Sequence, residues 1–224
     1  MNEVIFFLHI IVTLFFSFGA LRLGKEALVA SATLQAVFAN LFVLKQIDFC
    51  TLTVTCSDVY AVGGILTLNL LQEFHGKSAA HFYVKCSLYF LVFFAAMAKL
   101  HLLYEPSSFD ITHSSYSNIL SSTPRILLAS LAAFFLSQKL DIFLFAKIKQ
   151  KLPKAPLALR NALSMSCSQC FDTMLFSLLG LYGLVDNILH VFILSFVIKL
   201  IVILLSTPLV ALSKKFLPSP EPTA

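Results

Sequence analysis

Residues 188–212 read ILHVFILSFVIKLIVILLSTPLVAL, 25 positions in which Lys199 is the only charge. A helix needs about 20 mostly apolar residues to cross the hydrocarbon core of a bilayer, and this run exceeds that length. The rest of the chain resembles it. Of the 224 residues, 58% are hydrophobic and 12% charged, and the mean hydropathy is +0.89. A soluble domain carries about a quarter charged residues, so half of the usual solvating groups are missing. Twenty-three phenylalanines and no tryptophan complete the picture. This composition excludes a soluble enzyme, a nucleic-acid-binding domain, a disordered chain and a disulfide-stapled secreted module. The net charge of +5 is assigned to cytoplasmic loops rather than to a nucleic-acid partner. Five cysteines scattered through apolar sequence give neither a disulfide framework nor a metal set. The chain therefore reads as one all-α, polytopic membrane domain.

Working outward from 188–212, apolar runs fall at about 3–21, 27–44, 50–72, 80–103, 124–146 and 159–182, which makes seven spans. The first begins beside Glu3 and lacks a basic leader region, so it is expected to be a retained span. Lysine and arginine near the span ends set orientation. The connection 147–160 holds Lys147, Lys149, Lys151, Lys154 and Arg160, with Pro153 and Pro156 interrupting the helix. Placing it in the cytoplasm also puts Arg22/Lys25, Lys77 and Lys214/Lys215 inside, and the N-terminus, Lys45 and the turn Gly183–Asn187 outside. The expected topology is N-out and C-in. The loop from Glu105 to Thr123 is serine-rich, contains Asp110, His113 and Tyr116, and reads as a solvated linker rather than a lid. Ser122 and Thr123 stand as candidate caps before Pro124.

Asp58, Asp141, Asp172 and Lys199 lie well inside these spans. Each charge near the bilayer centre costs about 2.5–3.5 kcal/mol on the insertion scale, and such residues usually face a bundle interior or an aqueous cavity. Two of them share their surroundings. Ser137-Gln138-x-x-Asp141 and Ser168-Gln169-x-x-Asp172 match, with Phe145 and Phe176 at equivalent positions beyond. Residues three apart lie on one helix face, and spans five and six run antiparallel, so the two motifs are related by inversion. Many transporters build a midplane substrate site from such paired elements. A polar face extends along the sixth span through Asn161, Ser164, Ser168 and Asp172. The third span carries Thr51, Thr55, Asp58, Asn69 and Gln72 as far as Glu73, and the seventh Ser195, Lys199 and Ser206. For the serines and threonines, interhelical hydrogen bonds of about 0.6 kcal/mol are account enough.

Other features are read as structural. Cys167-x-x-Cys170 lies within an apolar span and is assigned to packing. The histidines are dispersed and form no ligand set. Gly63-Gly64 permits close helix approach. There is no Gly-x-x-x-x-Gly-Lys loop, so ATP hydrolysis by the chain itself is not expected.

With these residues in place, the chain resembles the queuosine precursor transporters, formerly called vitamin-uptake-transporter-like proteins. The resemblance covers nearly the whole chain, including an extra N-terminal span. It rests on Asn69-Leu70-Leu71-Gln72-Glu73-Phe74-His75-Gly76-Lys77, Pro124-Arg125, the two Ser-Gln-x-x-Asp motifs, Thr173, Phe176 and Lys199. His75 departs from the aromatic residue expected before the glycine. The resemblance implies uptake of 7-deazaguanine bases, queuine or its nitrile or aminomethyl precursors, through the cytoplasmic membrane for tRNA modification. An ionised carboxylate accepts the paired N1–H and amine donors of such a ring, and a glutamine amide donates to O6. Gln138, Asp141, Gln169, Asp172, Lys199 and Asp58 are accordingly the expected substrate-binding residues. Phe134, Phe145, Phe171 and Phe176 are available for stacking. Arg125 is read as snorkelling at the outer end of its span, and Glu73 as pairing with a basic loop residue; gating or structural roles are assigned to these two. No cofactor and no metal is expected. The partners are a small-molecule substrate and membrane lipid, with a second copy of the chain or a separate ATPase left open. Two alternatives stand beside this reading. One is a substrate-capturing subunit of an energy-coupling-factor-like system. The other is an intramembrane aspartyl enzyme, which lacks the expected Gly-x-Gly-Asp.

Overall fold

A computed structural model describes residues 1–43, 45–49, 52–55, 57–120, 124–183 and 188–213. The expectations for Thr51, Ser122, Thr123, Lys214, Lys215 and the turn beyond Gly183 lie outside these residues. Helix α1 spans Asn2–Leu23 and α2 Lys25–Leu41, and a hairpin of β1 (Gln46–Phe49) and β2 (Leu52–Thr55) follows. Then come α3 (Ser57–His101), α4 (His113–Leu120), α5 (Pro124–Lys151), α6 (Leu157–Phe176) with a π turn at Ser177–Leu181, and α7 (Ile188–Ser213). Among the described residues α1, α3, Arg125–Lys151 and Ile188–Pro208 are long and apolar enough to cross a membrane.

Helix α3 is two rods, not one. Its 45 residues break at Gly76, where φ is 83° and ψ 171°, a region that is essentially glycine-only. The chain folds back there. A Cβ built on Gly64 would lie 3.7 Å from the Tyr83 hydroxyl, whereas the two residues would stand about 28 Å apart along an unbroken helix. With α3 counted as two and the eight-residue α4 set aside, the long helical rods among the described residues number seven, the number of spans expected. Gly24 (φ 115°, ψ 178°) joins α1 to α2 in the same single-residue way.

The third span was expected from residue 50, and the structure corrects this. Gln46–Phe49 and Leu52–Thr55 pair as antiparallel strands, Gln46 opposite Thr55 and Phe49 opposite Leu52, and the helix starts only at Ser57. Thr51-Leu52-Thr53-Val54-Thr55 is β-branched at alternate positions, a period-two pattern that favours a strand. Hydropathy alone does not separate it from the helix behind it. Thr55 therefore does not share a helical face with Asp58. At the other end of the bundle α5 runs past the expected limit of 146 to Lys151, because lysine stems cover apolar surface while their ammonium groups reach water.

A polar knot ties α1, α2 and α3. The Gln35 amide donates to Ser17 Oγ at 3.0 Å, Thr67 Oγ1 donates to the Gly63 carbonyl at 2.8 Å, and Thr33 and Ser87 hydroxyls pair at 3.0 Å. Gly63 fits against this knot because it has no side chain. A Cβ there would strike Gln35 Oε1 and lie 2.8 Å from Thr13 Cγ2. Gly63→Ala is expected to destabilise the bundle by about 1–3 kcal/mol through overpacking, read as a lowered thermal midpoint in detergent. Gly64→Ala should leave that midpoint unchanged or raised, since its Cβ meets nothing closer than ordinary contact.

Candidate functional site

A cavity of about 530 Å³ opens among the ends of α2, α3, α5, α6 and α7 that lie nearest the hairpin. That volume lies within the usual range for small-molecule sites, roughly 300–1,000 Å³. Asp58, Gln138, Gln169, Asp172 and Lys199 all line it. They come from four helices, α3, α5, α6 and α7. Asp58 sits in the first turn of α3, where the helix dipole favours a negative charge. Gln138 and Gln169 belong to the inverted motifs on α5 and α6. Lys199 reaches across from α7 and donates to Asp172 Oδ2 at 2.8 Å. Ser137 donates to the other oxygen, Oδ1, at 3.2 Å. Asp58 lies in the field of both Lys199 and Asp172. The ammonium thus pairs with Asp172 and acts on Asp58 only through its field, and the Oε1 atoms of Gln138 and Gln169 are buried without a hydrogen-bond partner. Buried acceptors of that kind leave hydrogen bonds for a ligand to make.

The two motifs serve each other. Ser137 of the first donates to Asp172 of the second, and Ser168 of the second donates to Asp141 of the first, at 2.8 Å. The inversion read from the sequence is therefore a reciprocal exchange of serines between α5 and α6. It stops at the third partner. Asp172 receives Lys199, whereas Asp141 Oδ1 receives a second hydroxyl, Ser164, at 2.7 Å. Asp141 is 0% exposed and is not part of the cavity wall. The two aspartates are thus placed differently: Asp172 lines the cavity and Asp141 does not.

Of the four phenylalanines proposed for stacking, Phe134 and Phe176 line the cavity. Phe145 is fully buried beneath Arg160, its ring centroid 5.9 Å from the guanidinium carbon, and Phe171 is not in the wall. Tyr60, Tyr83, Asn40 and Ser130 are wall residues that the sequence did not single out. Asn40 accepts from Ser130 Oγ at 2.8 Å. Its signal was present, an asparagine near the end of an apolar run, but short polar residues at span ends are too common to select it. The 104–123 loop is more than a linker, because α4 brings Asn118 to the cavity. The loop leading into α4 is closed by Asp110, whose carboxylate accepts from the Thr112 amide and hydroxyl at 2.8 Å each. Those bonds hold the Asp110 carboxyl below the ordinary range.

Arg125 does more than reach toward the membrane surface. It donates to the Leu179 carbonyl at 2.9 Å and the Tyr182 carbonyl at 2.7 Å, fastening the π turn whose Ser177 and Leu181 line the cavity. Glu73 lies at the opposite end of the bundle. Arg160 donates to both its oxygens, at 2.9 and 3.3 Å, and Lys149 pairs with it at 2.8 Å. Arg160 was counted with the loop charges, yet it is buried. Its proximity to Pro156 in sequence hid its position in the first turn of α6.

The family model described as "Putative vitamin uptake transporter" matches residues 58–213, from Asp58 in the cavity to the end of α7. The chain belongs to this family. The match includes both Ser-Gln-x-x-Asp motifs, Glu73, Arg160 and Lys199, and leaves α1 and α2 outside it. The chain is also 34% identical over 217 residues, 96% of its length and 93% of the other's, to the "Probable queuosine precursor transporter" of Bacillus subtilis (strain 168). No solved structure matches it significantly. Membership of a vitamin uptake transporter family agrees with a helical membrane bundle that holds a mostly apolar cavity with a few convergent polar groups.

Proposed function

We propose that this chain imports queuosine precursors, 7-deazaguanine bases, across the cytoplasmic membrane, with the cavity binding the base. The observation that carries the reading is the wall of that cavity: an Asp172–Lys199 ion pair, a second carboxylate at Asp58, and two glutamine oxygens awaiting donors. A 7-deazaguanine ring supplies those donors from N1–H and its exocyclic amine. Phe134, Phe176, Tyr60 and Tyr83 offer ring faces. Asp172 is already engaged by Lys199, so Asp58 is the carboxylate left for a positive group. This favours the aminomethyl precursor over the uncharged nitrile. With Lys147, Lys149, Lys151, Lys154 and Arg160 on the cytoplasmic side, the cavity lies toward the outside and the Glu73–Arg160 pair toward the inside.

The test is complementation. Cells unable to make or import the base should regain modified tRNA when they express this chain and are fed a precursor. Unmodified tRNA with every precursor would refute the reading. In the same assay Asp58→Asn should lower use of the aminomethyl precursor about ten- to hundredfold, the value of a lost hydrogen bond to a charged group. Use of the nitrile should change much less.

A further inference from the structure

We propose that Asp141 is a proton-binding site, separate from the cavity, through which base import is coupled to proton entry. This rests on the transport reading above and supplies its driving force. The site is built from three helices. Asp141 on α5 accepts from Ser164 and Ser168 on α6, both through Oδ1. Oδ2 is buried with no hydrogen-bond partner. Asn69 of α3, which is 0% exposed, also interacts with the carboxyl, and its amide has no well-formed hydrogen bond to any group among the described residues. An Oδ2 that carries a proton becomes a donor, and the Asn69 carbonyl oxygen is an acceptor in want of one. Two satisfied contacts on one oxygen and none on the other are what a carboxylic acid, rather than a carboxylate, accommodates.

Charge leads to the same conclusion. A buried carboxylate without a cation beside it is expensive and tends to neutralise, and the charged groups of the surrounding helices are engaged elsewhere. On α3, Asp58 stands in the cavity and Glu73 binds Arg160 and Lys149. On α5, Lys139 contacts His81 at 3.3 Å and Lys147 lies over the Phe143 ring. On α6, Asp172 holds Lys199 of α7. No lysine, arginine or histidine among the described residues forms an ion pair with Asp141. The positive charge that it can accept is a proton from water.

Position gives the proton a path. On α5 the order from the cavity is Gln138, Asp141, Lys149; on α6 it is Asp172, Ser168 with Ser164, Arg160; on α3 it is Asp58, Asn69, Glu73. Asp141 therefore stands about 5 Å beyond Gln138 and about 12 Å short of Lys149 along the helix. It lies between the cavity and the buried ion pairs that close the opposite end. The proton binds Asp141 Oδ2 from the cavity side and leaves to the water on the Glu73 side. The base moves with it and is not changed covalently. For one proton carried per base, a pH difference of one unit sustains about a tenfold concentration ratio.

The full chain reconstituted in liposomes containing a pH-sensitive dye tests this with a labelled aminomethyl deazaguanine. External acid should drive accumulation and acidify the lumen in step with the base. Asp141→Asn should still exchange base for base while losing both the tenfold accumulation and the acidification. Ser164→Ala/Ser168→Ala, which keeps the carboxyl, should retain coupling with a shifted pH midpoint. Base accumulation that ignores pH, or that collapses when sodium is replaced by choline, would overturn the proposal. Infrared difference spectra between acid and alkaline protein give a readout independent of transport. A carboxylic-acid carbonyl band should disappear in Asp141→Asn, and its persistence there would count equally against the proposal. If the wild-type chain moves no base at all, the transport reading fails, and the infrared band decides the fate of Asp141 by itself.

Discussion

Asp172→Asn is expected to reduce uptake of the labelled base by roughly thirtyfold, because the pair is hydrogen-bonded but only part-buried and so sits at the lower end of the about 2–5 kcal/mol that truncating a buried charge pair costs. Asp172 stands where three lines of the site meet: the Lys199 ammonium at 2.8 Å, the Ser137 hydroxyl at 3.2 Å and the cavity itself. Asparagine keeps the shape and loses the charge. Lys199 would then face Asp58 alone, so the carboxylate proposed for the ligand would be occupied by the protein's own ammonium. The loss should therefore appear in binding as well as in rate. Asp172→Asn/Lys199→Met, which removes both charges and frees Asp58, should recover part of the affinity that the single change destroys. Uptake per molecule of transporter in the membrane, with base binding followed by thermal shift in detergent, checks both. Near-normal uptake by Asp172→Asn would remove the assignment of the cavity.

Glu73→Gln is expected to be the most destabilising single change in the bundle. It leaves the buried Arg160 guanidinium without its carboxylate, and breaking a buried pair from one side costs about 3–5 kcal/mol. Arg160 makes two hydrogen bonds to Glu73, and its Nε has no other partner, so nothing else is placed to compensate. Lys149→Gln should behave differently. That side chain is 42% exposed, and a surface pair is worth about 0–1 kcal/mol. Thermal and chemical unfolding in detergent should rank the variants wild type, Lys149→Gln, Glu73→Gln, in falling order. Glu73→Met/Arg160→Met should lie above Glu73→Gln, since removing both charges also removes the desolvation that the pair must offset. A Glu73→Gln protein as stable as wild type would mean that water reaches Arg160, and that this end of the bundle is open.

Much of this molecule is written in one dimension. Run length and the spacing of charges mark out where apolar helices can lie, because the bilayer demands about 20 apolar residues whatever the neighbours are. The reading failed at Leu52–Thr55, which form a strand. There Thr and Val alternate within an apolar stretch, and hydropathy is blind to the difference between periods of two and 3.6. It also underestimated Gly76. A glycine beside Lys77 marks a turn, but only its φ of 83° and ψ of 171° reveal that one residue reverses the chain. Arg160 was misplaced for a related reason. A basic residue four positions after a proline reads as loop, and its buried partner is 87 residues away.

The candidate site divides along the same line. Sequence by itself determined that this is a membrane bundle of the vitamin uptake transporter family, that α5 and α6 carry inverted Ser-Gln-x-x-Asp motifs, and that Asp58, Asp141, Asp172 and Lys199 are ionisable residues within apolar spans that need explanation. Those are local facts, set by composition and by which residues share a helix face. Only the tertiary structure decided that the two aspartates differ. Their immediate sequences are nearly interchangeable, and what separates them comes from residues remote in the chain or on another helix. Lys199 turns Asp172 into half of an ion pair in the cavity, while Ser164 and Asn69 enclose Asp141 away from it. The charge state and accessibility of a carboxyl depend on the groups within a few ångströms of it, and helix packing brings those groups there.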